Sequence, residues 1–233
     1  MSRSVVASMP QASARRRTVD FLSGLWYLGW KLVLSGLFKV LFRYRIEGRS
    51  NEPERGPFIA AANHASAIDP PMIGLVLRHR AAYMAKVELF SIPILGPWLR
   101  SVGAFPVRRS QPDRGAVRHS LKVLADGGVL VMFPEGTRSP DGRLQDPEPG
   151  AALLALRTGV PVVPVGVVNS HRAMSKSSRL PGLQQVKVII GRPLSVPKIE
   201  GRLDHKLLEE WGRRIMAEIA KLLPEDQKPS PKP

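Results

Sequence analysis

The run Asn63-His64-Ala65-Ser66-Ala67-Ile68-Asp69-Pro70 sets a histidine and an aspartate five residues apart, directly after the apolar stretch Phe58 to Ala62. A histidine titrates near neutral pH, and a nearby carboxylate on a tight turn would fix its tautomer and make it a general base. The same spacing has a plainer reading. His64 would then be a core histidine bonded to backbone, and Asp69 the N-cap of a helix opening at Pro70-Pro71. Asp69 is able to do both jobs.

Three further polar or glycine-bearing segments fall at the ends of apolar runs, where open α/β sheets place their sites. They are Gly103 to Arg109, Phe133 to Ser139 and Val160 to Gly166. A guanidinium is always charged and grips a phosphate with two parallel hydrogen bonds, so Arg109 and Arg138 suit a phosphorylated substrate. Gly136 would let backbone approach a ligand closely. Pro161 to Gly166 reads first as a buried strand edged by prolines. His79, His119, His171 and His205 have no motif around them.

Composition narrows what these residues serve. The chain has 233 residues, enough for one sizeable α/β domain with a proper core. It has no cysteine, which excludes disulfides, zinc-cysteine sites and a covalent thioester on the enzyme. A formal charge of +16 implies attraction to something anionic: headgroups, an acidic carrier protein or nucleic acid. With 6% aromatic residues and no RNA-binding or zinc-finger pattern, nucleic acid is not expected.

The elements that must position these residues can be read in outline. Residues 1–18, with Arg15-Arg16-Arg17, are expected to be a disordered basic arm. Residues 19–42 are strongly apolar, with Ser23, Tyr27, Lys31, Ser35 and Lys39 recurring every fourth residue as a polar stripe. That pattern predicts an amphipathic helix, or a helical hairpin broken near Gly36, lying in the membrane interface with its lysines reaching the headgroups. No small-residue cleavage site follows it. A membrane span and a helix packed on the protein's own core are the alternatives.

Residues 43–223 alternate short apolar runs with helical patterns, which predicts an α/β fold with a largely parallel or mixed central sheet flanked by helices. Expected strands cover 44–47, 58–62, 81–84, 104–107, 129–133, 160–168 and 185–190. Expected helices cover 113–125, 151–158 (stopped by Gly159) and 203–223. Residues 224–233, rich in Lys, Pro and Ser, are expected to be a disordered tail.

Taken in order and spacing, Asn-His-x4-Asp at 63–69, Gly-x-x-Pro-Val-x-Arg at 103–109, Phe-Pro-Glu-Gly-Thr-Arg-Ser at 133–139 and Val-Pro-x-x-Pro-Val at 160–165 resemble the four motifs of the glycerophospholipid acyltransferase family. The nearest branch resembles the bacterial 1-acyl-sn-glycerol-3-phosphate acyltransferases. Met84 to Phe90, then Pro93 and Gly96, also resembles how members join the first two motifs. The likeness covers roughly residues 44–194.

What it implies is transfer of a fatty acyl group from acyl-CoA or acyl carrier protein to the free sn-2 hydroxyl of 1-acyl-sn-glycerol-3-phosphate, giving phosphatidate. Another lysophospholipid or a glycolipid acceptor would use the same chemistry. A non-catalytic basic membrane-binding protein is the rival from another class. By the resemblance His64 is the base and Asp69 orients it, while Arg109, Glu135, Gly136, Thr137, Arg138 and Lys86 hold the acceptor's phosphate. Glu135, itself an anion, better suits aligning Arg138 or bonding a glycerol oxygen. Arg108 stands where the family often has an acidic residue. No metal or cofactor is implied, and the expected place is the cytoplasmic face of the membrane.

Overall fold

The structure, a computed structural model, describes residues 11–108, 113–174 and 182–230, with side chains from Gly24 onward. Arg109 therefore lies outside the described residues. In chain order the elements are α1 (Gln11–Phe42), β1 (Arg45–Glu47), β2 (Phe58–Ala62), α2 (Asp69–Val76), β3 (Ala81–Lys86), α3 (Leu95–Ser101) and β4 (Ala104–Val107). They continue with α4 (Arg114–Ala125), β5 (Val129–Met132), α5 (Pro149–Thr158), β6 (Val162–Val168), α6 (Ser170–Ala173), β7 (Lys187–Ile190) and α7 (His205–Ala220).

The seven strands form one sheet in the order β1-β7-β6-β2-β5-β3-β4. Every pairing is parallel except β6 with β7. The central strand β2 is buried along its whole length, and its alternation feeds two cores. Phe58, Ala60 and Ala62 face a core shared with Phe42 of α1 and Met72 and Ile73 of α2. Ile59 and Ala61 face the other, built with Leu124 of α4, Leu154 of α5 and Ile215 of α7. Helices therefore cover both faces, the arrangement parallel strands require.

Local signals account for the helix ends. Asp113 accepts from the Ala116 amide at 3.0 Å and Asp204 from the Leu207 amide at 2.7 Å, so both helices open on carboxylate caps. Gly159, at φ 67°, closes α5 in the left-handed region as expected of a stop.

The ends of the chain depart from expectation in three ways. First, α1 is one unbroken helix that already begins at Gln11, inside the stretch expected to be a disordered arm, and it does not break at Gly36. Second, its polar stripe turns inward. Lys31 Nζ donates to the Leu77 carbonyl, Ser35 Oγ pairs with Tyr44 Oη at 2.7 Å, and Lys39 lies over the Tyr44 ring. Leu77 closes α2, and a lysine satisfies the free carbonyls of a helix end better than headgroups it would have to reach around the protein. The apolar side of α1 is consequently the exposed one, from Leu25 to Val40. Third, the expected tail folds back: a 3-10 turn at Glu225–Gln227 buries the Gln227 side chain completely.

Candidate active site

The parallel pairing of β2 with β5 sets Ala61 beside Met132, so the turns that leave these strands meet above the sheet's carboxyl edge. The turn after β2 carries His64, and the turn after β5 carries Glu135 to Arg138. Lys86 ends β3, whose neighbour β4 leads into Arg108. Four strand ends thus deliver the motif residues to one edge, where the fold class locates ligands.

Asn63 seats the first turn. Its side chain donates to the Val167 carbonyl at 3.0 Å and accepts from the Val167 amide at 2.7 Å, extending the β2–β6 pairing by one residue through a side chain. His64 then turns its Nδ1 to Asp69 Oδ2 at 2.9 Å. The carboxylate can only accept, so Nδ1 carries the hydrogen and Nε2 is the basic nitrogen. Phe133 stacks on the imidazole, centroids 4.1 Å apart, and holds the ring's plane. Both residues of the pair are buried, Asp69 completely.

Asp69 is not the cap of α2. The cap position is Ile68, with no side-chain bond, and the Asp69 carboxylate reaches backward to the amides of Ala65 at 2.8 Å and Ser66 at 2.7 Å. The reason lies in Pro70 and Pro71, which offer no N–H, and in Met72, whose amide is already bonded to the Ile68 carbonyl at 2.9 Å. A cap had no donors to accept from.

Glu135 sits beneath the histidine and does not line the cavity described below. Its Oε1 accepts the His64 amide at 2.5 Å, and its Oε2 accepts the Gln145 backbone and side-chain N–H at 3.1 and 3.2 Å. Burial pushes its carboxyl from 4.5 to about 7, partly offset by those donors and reinforced by the charge of Asp69. Neither expected role, aligning Arg138 or touching glycerol, matches this position. The Ser139 amide adds a bond to the His64 carbonyl at 2.7 Å, so both ends of the His64 peptide are tied to the second turn. Gly136 is needed for the turn itself. At φ 69°, a Cβ there would meet Glu148 Cγ at 2.8 Å, so the glycine backs onto protein rather than opening toward a ligand. Thr137 is exposed.

A cavity of about 550 Å³ opens beside the pair. His64, Arg138 and Lys86 bring polar groups, joined by Lys31, Tyr27 and Tyr83, and the rest is mostly apolar, contributed by α1, α2, β3 and α3. Gly74 of α2 leaves room for the Tyr83 hydroxyl, which lies 2.6 Å from where its Cβ would stand. The apolar groove, which no sequence segment disclosed, is thus assembled from four separate elements. Among the amides of residues 64–69, those of His64, Ala65, Ser66, Ile68 and Asp69 all have partners. Ala67 alone has none among the described residues, and it lines the cavity.

The structure therefore brings His64, Asp69, Lys86 and Arg138 together, keeps Glu135 buried as a support underneath, and leaves Gly136 exposed as a turn residue. Asn63 stood inside the first motif without an assigned role, and Gln145 was not singled out at all. A buried, oriented imidazole facing an apolar cavity lined by Lys31, Lys86 and Arg138 is an arrangement able to take a proton from a group on an anionic amphiphile.

The comparisons agree. The family described as Acyltransferase matches residues 43–168, and the chain belongs to it. A 1-acyl-sn-glycerol-3-phosphate acyltransferase of Bacillus subtilis is 32% identical over 152 residues, covering 64% of this chain and 73% of its own length. A chloroplast protein of the same name from Brassica napus is 30% identical over 213 residues, 90% of this chain but 58% of its own. The chain spans little more than half the length of plant relatives such as this one. The crystal structure of the 1-acyl-sn-glycerophosphate acyltransferase PlsC from Thermotoga maritima superposes with a TM-score of 0.68 at 25% identity, covering 92% of this chain and 83% of that one.

Proposed function

We propose that this protein transfers a fatty acyl group from an acyl thioester to the sn-2 hydroxyl of 1-acyl-sn-glycerol-3-phosphate, yielding phosphatidate for phospholipid synthesis. The observation that carries the reading is the placement of the oriented His64 imidazole in an apolar cavity whose wall also holds Arg138 and Lys86. Nε2 of His64 takes the acceptor's hydroxyl proton while the oxygen attacks the thioester carbonyl. The tetrahedral oxyanion collapses, the C–S bond breaks, and the thiolate leaves with the proton returned by the imidazolium, whose charge Asp69 stabilises. The Ala67 amide, which lines the cavity with no partner among the described residues, is the donor offered to the oxyanion. With no cysteine in the chain, direct attack needs no enzyme nucleophile.

Arg138 and Lys86 hold the phosphate, and the apolar wall takes acyl chain. The donor, acyl-CoA or acyl carrier protein, is consumed as a substrate, so this reading requires no metal or bound cofactor. It sets the enzyme on the cytoplasmic face of the membrane, where both donors occur. Support comes from Gly24–Phe42, a stretch with mean hydropathy 1.3 that is long and apolar enough to cross a membrane yet only 11% buried. The test is thiol release from acyl-CoA and from acyl carrier protein with lysophosphatidate set against other lysolipids. Turnover is expected with lysophosphatidate and lost in His64→Ala with unfolding unchanged; substantial turnover by that variant removes His64 as the base.

A further inference from the structure

Large apolar side chains that stay exposed cluster in two places among the described residues. Seven lie on α1, four are Val87, Leu89, Ile92 and Ile94, and only Leu183 lies elsewhere. The two sets are far apart in sequence but adjacent in space. Trp26 Nε1 donates to Ser101 Oγ at 3.0 Å, and the Trp30 and Trp98 rings meet edge to face at 6.0 Å, so α1 lies against α3. They form one apolar surface, and the cavity opens between its halves, with Trp30 and Leu34 on one side and Leu89 and Leu95 on the other.

The second half is built to protrude. Ile94 has φ 67° and ψ −50°, and the Leu95 amide bonds the Pro93 carbonyl at 2.7 Å, a strained three-residue γ-turn. A β-branched residue strongly avoids that region, and here the strain carries a side chain that is 87% exposed. A strained turn that ends in an apolar side chain facing water gains nothing within this chain. The charge around the surface points to what covers it. From Phe21 to Ile46 there is no carboxylate, and Arg43 and Arg45 are exposed cations there; from Arg80 to Ser101 the one carboxylate, Glu88, pairs with Lys86 at 3.2 Å while Arg80 and Arg100 remain in excess.

We propose that Val87–Ile94 is a second membrane-insertion point, entering the apolar layer of an anionic bilayer beside α1, so that the cavity mouth opens into lipid. This rests on the membrane reading of α1 given above and adds an independent contact to it. Lysolipid acceptor would then enter sideways without its chain crossing water, with Lys86 at headgroup level to meet its phosphate.

The absence of cysteine makes the test clean. Full-length Leu28→Cys, Ile94→Cys and Lys206→Cys, each carrying an environment-sensitive thiol-reactive fluorophore, are mixed with phosphatidylglycerol/phosphatidylcholine vesicles with or without acyl-brominated lipid. The probes at 28 and 94 are expected to shift to the blue and be quenched by bromine, and the probe at 206, on α7 across the sheet, to do neither. A response at 28 without one at 94 overturns the second insertion point and leaves the membrane reading standing. Silence at both overturns the membrane reading itself. As a second measurement, Ile94→Asp should weaken vesicle affinity about tenfold, the loss expected for one buried aliphatic side chain; unchanged affinity also overturns the proposal.

Discussion

His64 Nδ1 and Asp69 Oδ2 stand 2.9 Å apart, and that single oxygen also accepts the amides of Ala65 and Ser66. Asp69 thus shapes the turn and orients the ring with the same atom. Its partner oxygen Oδ1 is buried and meets no donor among the described residues. The carboxylate's charge is therefore concentrated on the side of the imidazole, where a positive ring must be stabilised as the proton arrives.

Asp69→Asn separates these two duties. The amide oxygen can replace Oδ2 and keep the turn, but it carries no charge to stabilise imidazolium, and it puts an N–H₂ where Oδ1 now has no partner. We expect kcat to fall by roughly 10²- to 10⁴-fold with KM for the acceptor little changed. A kcat within a few-fold of the unaltered enzyme would leave Asp69 as a clamp of the turn alone.

Arg138 is half-buried in the cavity wall that also holds His64. Removing a charge-assisted bond to phosphate costs about 1.5–3 kcal/mol, which corresponds to roughly ten- to a hundred-fold in affinity. Arg138→Ala should therefore raise KM for lysophosphatidate by about that factor and lower kcat much less. Arg138→Lys should recover part of the loss, since a point charge replaces a fork. An unaltered KM would take Arg138 out of the phosphate site.

Much of this was legible in the sequence wherever a local signal existed. Apolar runs located all seven strands, including the buried central β2, and the helix expected to open at Asp113 does so on that residue's carboxylate; the cap of α7, Asp204, was not foreseen. What escaped depends on partners brought together only by folding. Asn63 bonds a residue 104 positions away, and Glu135 bonds one 71 positions away. The stripe on α1 was legible as a stripe but not as to which way it faced. The carbonyls of Leu77 and Tyr44 that turn it inward carry no side-chain signature. Likewise Gln227 sits in a Lys/Pro-rich context that looks unable to fold, because one buried amide contributes no periodicity.

Gln227 is the support most easily tested. Its side-chain oxygen accepts the Asn169 amide at 3.0 Å, and its backbone carbonyl accepts the Leu144 amide at 3.0 Å. It thereby ties the end of β6 to the loop that supplies Gln145, the residue holding Glu135. Gln227→Ala leaves the half-buried Asn169 amide unpaired and should cost about 1–3 kcal/mol of stability by chemical denaturation. Removal of residues 224–233 should cost at least as much. Stability unchanged in both would mean the segment merely rests on the surface.

Glu135 sets burial against hydrogen bonding, and pH decides between them. In the unfolded chain its carboxyl titrates near 4.5, whereas burial raises it to about 7 in the fold. Between those values the native protein binds the proton more tightly than the unfolded chain. The stability it contributes is therefore full below about pH 4.5 and is lost as pH rises to about 7, at up to roughly 1 kcal/mol per pH unit. Glu135→Gln has no such titration. Urea unfolding across this range should show the unaltered protein losing stability relative to the glutamine variant as pH rises, with the difference level above about pH 7. The opposing possibility is concrete, because all the donors that reach this carboxylate, the His64 amide and the two N–H groups of Gln145, favour the anion. If they outweigh burial, the slope reverses sign, and the histidine is then held by an ionised glutamate throughout the working range.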